Sequence, residues 1–276
     1  MRLVRRLVAT PEGFAGAMLL GLLGLAALLA PVLFPRDPLS IAGPAMLPPF
    51  RNWSLPLGTD RLGRDVLAGI VHGARTSLAV GLTAATAALT VGAIIGTAAG
   101  FAGGLIDELL MRITDAFQTV PGFLLALALV SVVGPSLTVV VLAIAMGAWP
   151  GPARVARAEV LSLRERDFVA AARTIGMRPL EIAYREILPN ALPPVLALSS
   201  VIVAAAILIE AALSFLGLGD PNRVTWGGML AEGRTVLRAA PSLSIFPGIA
   251  LVLAVLGVYL VGEGTVEAAA MKRRFL

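Results

Sequence analysis

Glu210 is the only full charge inside the long apolar runs of this chain. An ionisable side chain in such a run is a functional candidate by default, because holding a charge in hydrocarbon is costly. It could line a transport pathway, facing a substrate or a coupling ion. About 16 residues of helix, or about 24 Å, separate it from Pro194, which predicts a position near the far membrane interface and a reduced cost of burial.

The other reactive residue types argue against catalysis. His72 is the only histidine, lies in a connecting segment and reads as an ordinary surface or interfacial residue, and cysteine is absent. There is therefore no thiolate nucleophile or thiolate metal site. No nucleophile and base stand at helical spacing within the apolar runs, and no H-E-x-x-H metal helix is present. A phosphate-binding loop needs a lysine beside Ser or Thr after a glycine-rich turn. The single lysine, Lys272, is followed by Arg273 with no such turn before it. The chain is not an enzyme on this reading and binds no cofactor or metal, so any ATP-driven step would belong to another polypeptide.

These residues sit in a frame set by composition. Of 276 residues, 58% are hydrophobic and 14% charged, with a mean hydropathy of +0.89, whereas soluble domains carry about a quarter charged residues. The chain reads as an all-α membrane protein surrounded by lipid, with no nucleic-acid partner. Six transmembrane helices are predicted. The first, Phe14 to Phe34, is an uncharged run of about 21 residues behind Arg2, Arg5 and Arg6, too long for a signal-peptide core and close to the length a bilayer needs. The others are Ser77 to Phe101, Phe117 to Val133 after a polar turn holding Asp107, Glu108, Arg112 and Asp115, Pro135 to Trp149, Val195 to Leu213, and about Ile245 to Val261. The chain thus divides into an N-terminal tail and first helix (1–34), an external connection (35–75), a core of five spans (76–265) and a basic tail (266–276). Six spans put both termini on one side. Fourteen of the 22 Lys and Arg residues fall on that side, which the positive-inside rule makes cytoplasmic.

Within the core, Ala84, Ala88, Gly92, Gly96, Gly100 and Gly104 recur every four residues. Such a stripe lets helix backbones approach closely in lipid, against this bundle or a partner subunit. The polar loop 153–193 is built differently from a tether. It predicts a first helix from about Phe168 to Ile175, with Asp167 at the N-cap and Gly176 just past the end. Phe168, Ala172 and Ile175 would share one face. A second helix begins at Pro179 and carries Leu180, Ala183, Tyr184, Ile187 and Leu188 as an apolar stripe, with Glu181 and Arg185 paired on the other face. Pro189 is expected to stop it. Two helices lying at the membrane surface would satisfy the pattern, as would a shape presented to a partner.

The run Ala170, Ala171, Ala172, then Gly176, then Ile187-Leu188-Pro189-Asn190 resembles the cytoplasmic coupling loop of permease subunits of bacterial ABC importers. The family commonly has glutamate where Ala170 stands. The nonamer Leu57 to Asp65, the run Glu210 to Gly219 and the segment Trp226 to Leu230 resemble one branch, the C-type subunits of dipeptide, oligopeptide and nickel importers. That branch often has histidine where Glu186 stands. Its usual ending is replaced after Gly264 by Thr265, Val266 and Glu267, so no role is carried onto the tail.

The resemblance implies a type I importer permease fold in the inner membrane. It also implies a second permease subunit completing a heterodimer, two ATPase subunits that hold ATP and Mg, and an external solute-binding protein. Phe168, Ala170, Ala171, Ala172, Arg173, Ile175 and Gly176 would dock on the ATPase. The expected cargo is short peptides, with nickel or nickel chelates as the alternative. On this reading Ala172→Arg would leave the chain inserted but uncoupled. An ion-coupled secondary transporter and an intramembrane enzyme are the competing readings, and neither finds the midplane charges or the catalytic pair it needs.

Overall fold

The computed structural model describes residues 10–274, with side chains described through 267. Among the described residues the structure is helical, with isolated β-bridges in the segment 35–65. Helix α1 spans Pro11–Leu33, α2 Val66–Ala102, α3 Gly104–Thr119, α4 Gly122–Val133, α5 Leu137–Ala148, α6 Pro150–Leu163 and α7 Asp167–Thr174. Then come α8 at Pro179–Glu181, a π-helical turn at Ile182–Ile187, α9 at Leu188–Ala197, α10 at Ser199–Phe215, α11 at Trp226–Arg234 and α12 at Ser242–Arg274. The basic residues Arg2, Arg5 and Arg6 of the predicted tail lie outside the described residues.

Three helices are each long and apolar enough to cross a membrane, namely α1, α2 and the Ser242–Glu267 part of α12. The other predicted spans are bent pairs. α3 and α4 meet at 81°, α5 and α6 at 43°, and the Pro179–Ala197 segment meets α10 at 54°. Counting each bent pair as one span gives the expected six.

Several boundaries differ from the sequence reading. α2 starts at Val66, well before Ser77, because the Asp65 side chain accepts from Leu67 N (2.9 Å) and caps the helix. The residues expected as a polar turn before the third span are helical instead. In α3, Leu105, Ile106, Leu109 and Ile113 are exposed, while Thr114 is buried and Glu108 pairs with Arg112 at 2.6 Å. Pro121 then breaks the chain direction before α4 starts. Of the two outcomes open to Pro150 after Trp149, a bend or an end of the fourth span, the structure shows the bend, since at the first turn of α6 the proline needs no amide partner.

The packing fixes which ends lie together. α1 and α12 run antiparallel, with Gly16 against the backbone of Val261 and Gly264 against Gly13. The far end of α1 meets the start of α2, where His72 Nε2 lies 3.1 Å from Phe34 O. The start of α1 and the distal part of α12 therefore share one end of the bundle with the end of α2 and the 153–193 loop. The main core joins α2, α4, α5 and α10 through Val80, Ala84, Ala126, Val130, Val140, Ile144, Ala206 and Leu213.

The small-residue stripe faces this chain's own bundle. A β-carbon at Gly92 would come within 2.6 Å of Pro152 Cβ, and one at Gly100 within 2.9 Å of Arg157 O. Gly96 is closed by Ala153 and Ala156 in the same way, and Ala88 packs with Trp149 and Ala153. Gly104 falls outside the stripe, because the helix has already ended at Ala102 and Gly104 opens into free space.

Candidate functional site

The 153–193 loop is bound to the bundle by one face and free on the other. In α7, Val169 and Ala172 are buried, packed with Val160 of α6, Ile182 and Ile187 of the π-turn and Ala191 of α9. Phe168 is 37% exposed and Ile175 77% exposed, and Ala170, Ala171 and Arg173 also face out. The predicted face of Phe168, Ala172 and Ile175 is thus split. Val169 takes the inward position beside Ala172, and Ile175 escapes the helix because it is the C-cap residue. Asp167 is the first helical residue, and Arg166 holds the N-cap position without a side-chain bond.

The helix ends as the sequence implies. Gly176 has φ +80°, its amide donates to Arg173 O (3.0 Å), and the Met177 amide donates to Ala172 O (3.1 Å). This is the left-handed glycine termination that satisfies the last carbonyls, and Met177 packs back into the cluster that holds Ala172.

The second loop helix does not stop at Pro189. It continues through the π-turn into α9, and Pro189 sits in the first turn of α9, where no amide is missed. The wide turn lets the chain pass the proline, and Asn190 Nδ2 donates to Glu186 O (2.7 Å). The same turn shifts the apolar face. Ile182, Ala183, Ile187 and Ala191 are buried, whereas Leu180 is 73% exposed. Leu188 is half-buried against the cluster formed by Ala93, Ala156 and Val195, and the Tyr184 hydroxyl donates to Ile94 O (3.2 Å). The predicted Glu181–Arg185 pair is present at 2.5 Å.

Ion pairs tie the helix that leads into this loop to its neighbours. Arg157 of α6 holds Asp107 of α3 through two bonds of 2.5 and 2.6 Å, and Arg154 bonds Asp115 at 2.5 Å. Arg164 donates to Gly100 O (3.1 Å) at the end of α2. All three arginines lie in or beside the polar loop 153–193, and these partners are not among the residues near them in sequence. The available signal was two acidic residues on one side of a helix facing an arginine-rich helix, but pairs 39 and 50 residues apart leave no local trace.

At the opposite end of the bundle, the end expected from its distance to Pro194, Glu210 is 2% exposed within the chain and meets hydroxyl partners there. Its oxygens accept from Ser77 Oγ (3.0 Å) and Ser214 Oγ (2.7 Å). Ser77 Oγ in turn lies 3.4 Å from Trp226 N at the start of α11. The carboxylate joins α2, α10 and α11, and α11 packs so closely on α10 that Gly227 lies against the Ala211 backbone. The sequence reading did not see Ser77, Ser214 and Trp226 as its partners.

The Leu57 to Asp65 nonamer folds as a tight turn beside this network. Asp60 Oδ1 accepts from Leu62 N and Arg64 N, both at 2.8 Å, and Arg64 reaches Glu232 of α11 at 3.4 Å. Arg61 donates to the Thr235 hydroxyl at 2.8 Å. A cleft of about 360 Å³ lies between the turn and α11, lined by Arg61, Arg64, Asp220, Arg223 and Glu232. Burial pushes the Glu232 carboxyl above its usual range, and Arg64 pulls it part of the way back.

Known proteins resemble this chain in sequence and in fold. A family model described as the binding-protein-dependent transport system inner membrane component matches residues 67–273. The probable peptide ABC transporter permease protein y4tQ of Sinorhizobium fredii is 42% identical over 233 residues, covering 82% of this chain and 80% of that protein. The di/tripeptide transport system permease protein DppC of Pseudomonas aeruginosa is 37% identical over 260 residues, covering 92% and 86%. A chain of the MetNI methionine ABC transporter, solved in inward-facing conformations, superposes with a TM-score of 0.57 at 19% identity, covering 73% of this chain and 96% of that chain. At that identity the likeness is one of fold.

Proposed function

The chain belongs to the family of binding-protein-dependent transport system inner membrane components, and from that premise we propose that it forms half of the pathway of an ABC importer for di- and oligopeptides. It is a multi-pass inner membrane permease subunit of the type I importer fold. The peptide cargo rests on what its relatives are named for, since 37 to 42% identity over most of the chain joins it to peptide permeases. A second, different permease subunit completes the pathway, two ATPase subunits hold the ATP and Mg, and an external binding protein delivers the peptide.

The observation that carries the mechanism is the two-faced loop. α7 buries Val169 and Ala172 in the bundle and presents Phe168, Ala171 and Ile175, with Leu180 beyond the glycine turn. A short helix with an exposed apolar and small-residue face suits a groove on a partner, in the helix-in-groove manner. ATP binding would move that groove, and the bundle would follow as a rigid body between its inward and outward openings. Such coupling requires that the two permease states bind the two ATPase states unequally. The excess of Lys and Arg at the loop's end of the bundle supports a cytoplasmic position for that end and for both termini.

Burial of Ala172 changes the test of docking. An arginine there would break this chain's own core, so the informative variants are Ala171→Arg and Ile175→Glu on the free face. Mild-detergent purification of the tagged chain from its host, with mass spectrometry, should recover an ATPase and a second permease. Both variants should keep the second permease and lose the ATPase. Recovery of the ATPase with both variants at normal yield would refute the docking role of this face, and recovery of the chain alone would favour a secondary transporter. Uptake of labelled dipeptide, abolished by deleting the chain and competed by unlabelled tripeptide, tests the cargo.

A further inference from the structure

The bends of the third and fourth spans lie opposite each other. α3 turns into α4 at Val120 and Pro121, and α5 turns into α6 at Trp149. Between the two bends, Gly122 and Gly147 touch backbone to backbone, so that a β-carbon on Gly147 would stand 3.0 Å from Gly122 Cα. Phe117, just before the first bend, meets the Trp149 ring edge to face at 5.4 Å. From there α3 and α6 run together toward the loop end. Asp115 is bonded to Arg154 near the bends and Asp107 to Arg157 farther along. On the other side of the bends, α4 and α5 share the main core.

The two halves are held by different forces. α4 and α5 are joined by buried side chains, which resist separation in any direction. α3 exposes Leu105, Ile106, Leu109 and Ile113 and meets α6 through Phe117 at the bend and, farther along, through the two ion pairs. The Asp107–Arg157 pair is the stronger of the two, being bidentate and with Asp107 only 14% exposed. α6 leads through a turn of three residues into α7, the helix assigned above to ATPase docking.

We propose that Asp107 and Arg157 are the positioning residues that make α3 follow α6, which is itself seated on the glycine stripe of α2, when the docking helix moves. The proposal rests on the docking reading. A push on α7 is delivered to α6 covalently, and reaches α3 through the guanidinium–carboxylate pair.

The absence of cysteine from the chain makes the test direct. Spin labels on Cys substituted at Ala158 of α6 and at Leu109 of α3, each paired with a label at Val132 of α4, report the two arms separately in the assembled transporter. Addition of ATP with vanadate should shift both distances in the otherwise unaltered chain. In Asp107→Asn and in Arg157→Gln the ATPase should still copurify and the Ala158 distance should still shift, while the Leu109 shift is lost. Exchange of the pair, Asp107→Arg with Arg157→Asp, should restore it.

A Leu109 shift that survives in both single variants overturns the proposal, as does a loss that the exchange leaves unrepaired. Loss of the ATPase from the single variants also overturns it, since the pair would then serve assembly. Failure of the docking reading looks different, because Ala171→Arg would then keep its ATPase whatever the labels at Leu109 do.

Discussion

The two ends of the bundle are finished differently. At the end that holds Glu210, the chain completes its own structure. A buried carboxylate meets two hydroxyls, α11 seals over α10, and the Asp60 turn is bonded to itself and to α11. At the loop end the chain leaves Phe168, Ile175 and Leu180 in the open, over a buried apolar cluster on the other face of the loop, and adds ion pairs between α3 and α6. Unpaired polar groups are costly inside a bundle, whereas an exposed apolar face is costly only until a partner covers it. The contrast separates what holds the subunit together from what it offers to other subunits.

The comparison breaks most visibly at Glu210. Glu210→Ala should cost about 3 kcal/mol, because the buried Ser77 and Ser214 hydroxyls lose their common acceptor. Thermal unfolding of the purified chain in detergent measures it, and Glu210→Gln should recover part of the loss. An unchanged midpoint for the alanine variant would mean that the network contributes nothing to stability and that the far end is less self-contained than drawn here. Next is the seam behind the docking loop, where Gly96→Leu should cost about 1 to 3 kcal/mol by forcing α2 away from Ala153 and Ala156. A normal midpoint there would show that the α2–α6 contact yields easily.

A smaller effect is expected from Glu232, and it depends on pH. Its carboxyl is held above the usual range in the folded chain. Its protonation therefore favours the fold. That contribution is fully present below the usual carboxylate pKa and is lost as pH rises through the raised value. In a pH series of unfolding midpoints, Glu232→Gln should flatten this part of the profile. A profile identical to that of the unaltered chain would place the titration elsewhere. The smallest change in stability belongs to Ile175→Glu, within about 0.5 kcal/mol because the side chain is exposed. The same substitution should abolish ATPase binding. A large loss of stability instead would mean that the loop end is as self-contained as the other.

Much of the fold was legible because its signals are local. Apolar runs of membrane length, the stripe from Ala84 to Gly100, the glycine termination at Gly176 and the Glu181–Arg185 pair each depend on residues within a turn or two of one another. The misreadings share a different cause. Pro189 reads as a stop because a proline normally interrupts a helix, and the π-turn before it is set by packing of Ile182 and Ile187. The polar stretch 107–115 reads as a turn because Asp107 and Asp115 find their partners only across the bundle, and the local Glu108–Arg112 pair alone does not mark a helix. Ala172 reads as part of a docking face because three residues at helical spacing define a stripe without saying which way it points.

The sequence by itself determined that this is a helical membrane protein, where its apolar runs lie, and which family it joins. Periodicity, breakers and composition carry that information within short windows of chain. Only the tertiary structure decided that the glycine stripe closes on α6, that Val169 rather than Phe168 turns inward, that Glu210 is buried among three helices, and that Asp107 meets Arg157. Those outcomes depend on which surfaces the other helices leave uncovered, and that is a property of the assembled bundle rather than of any one segment.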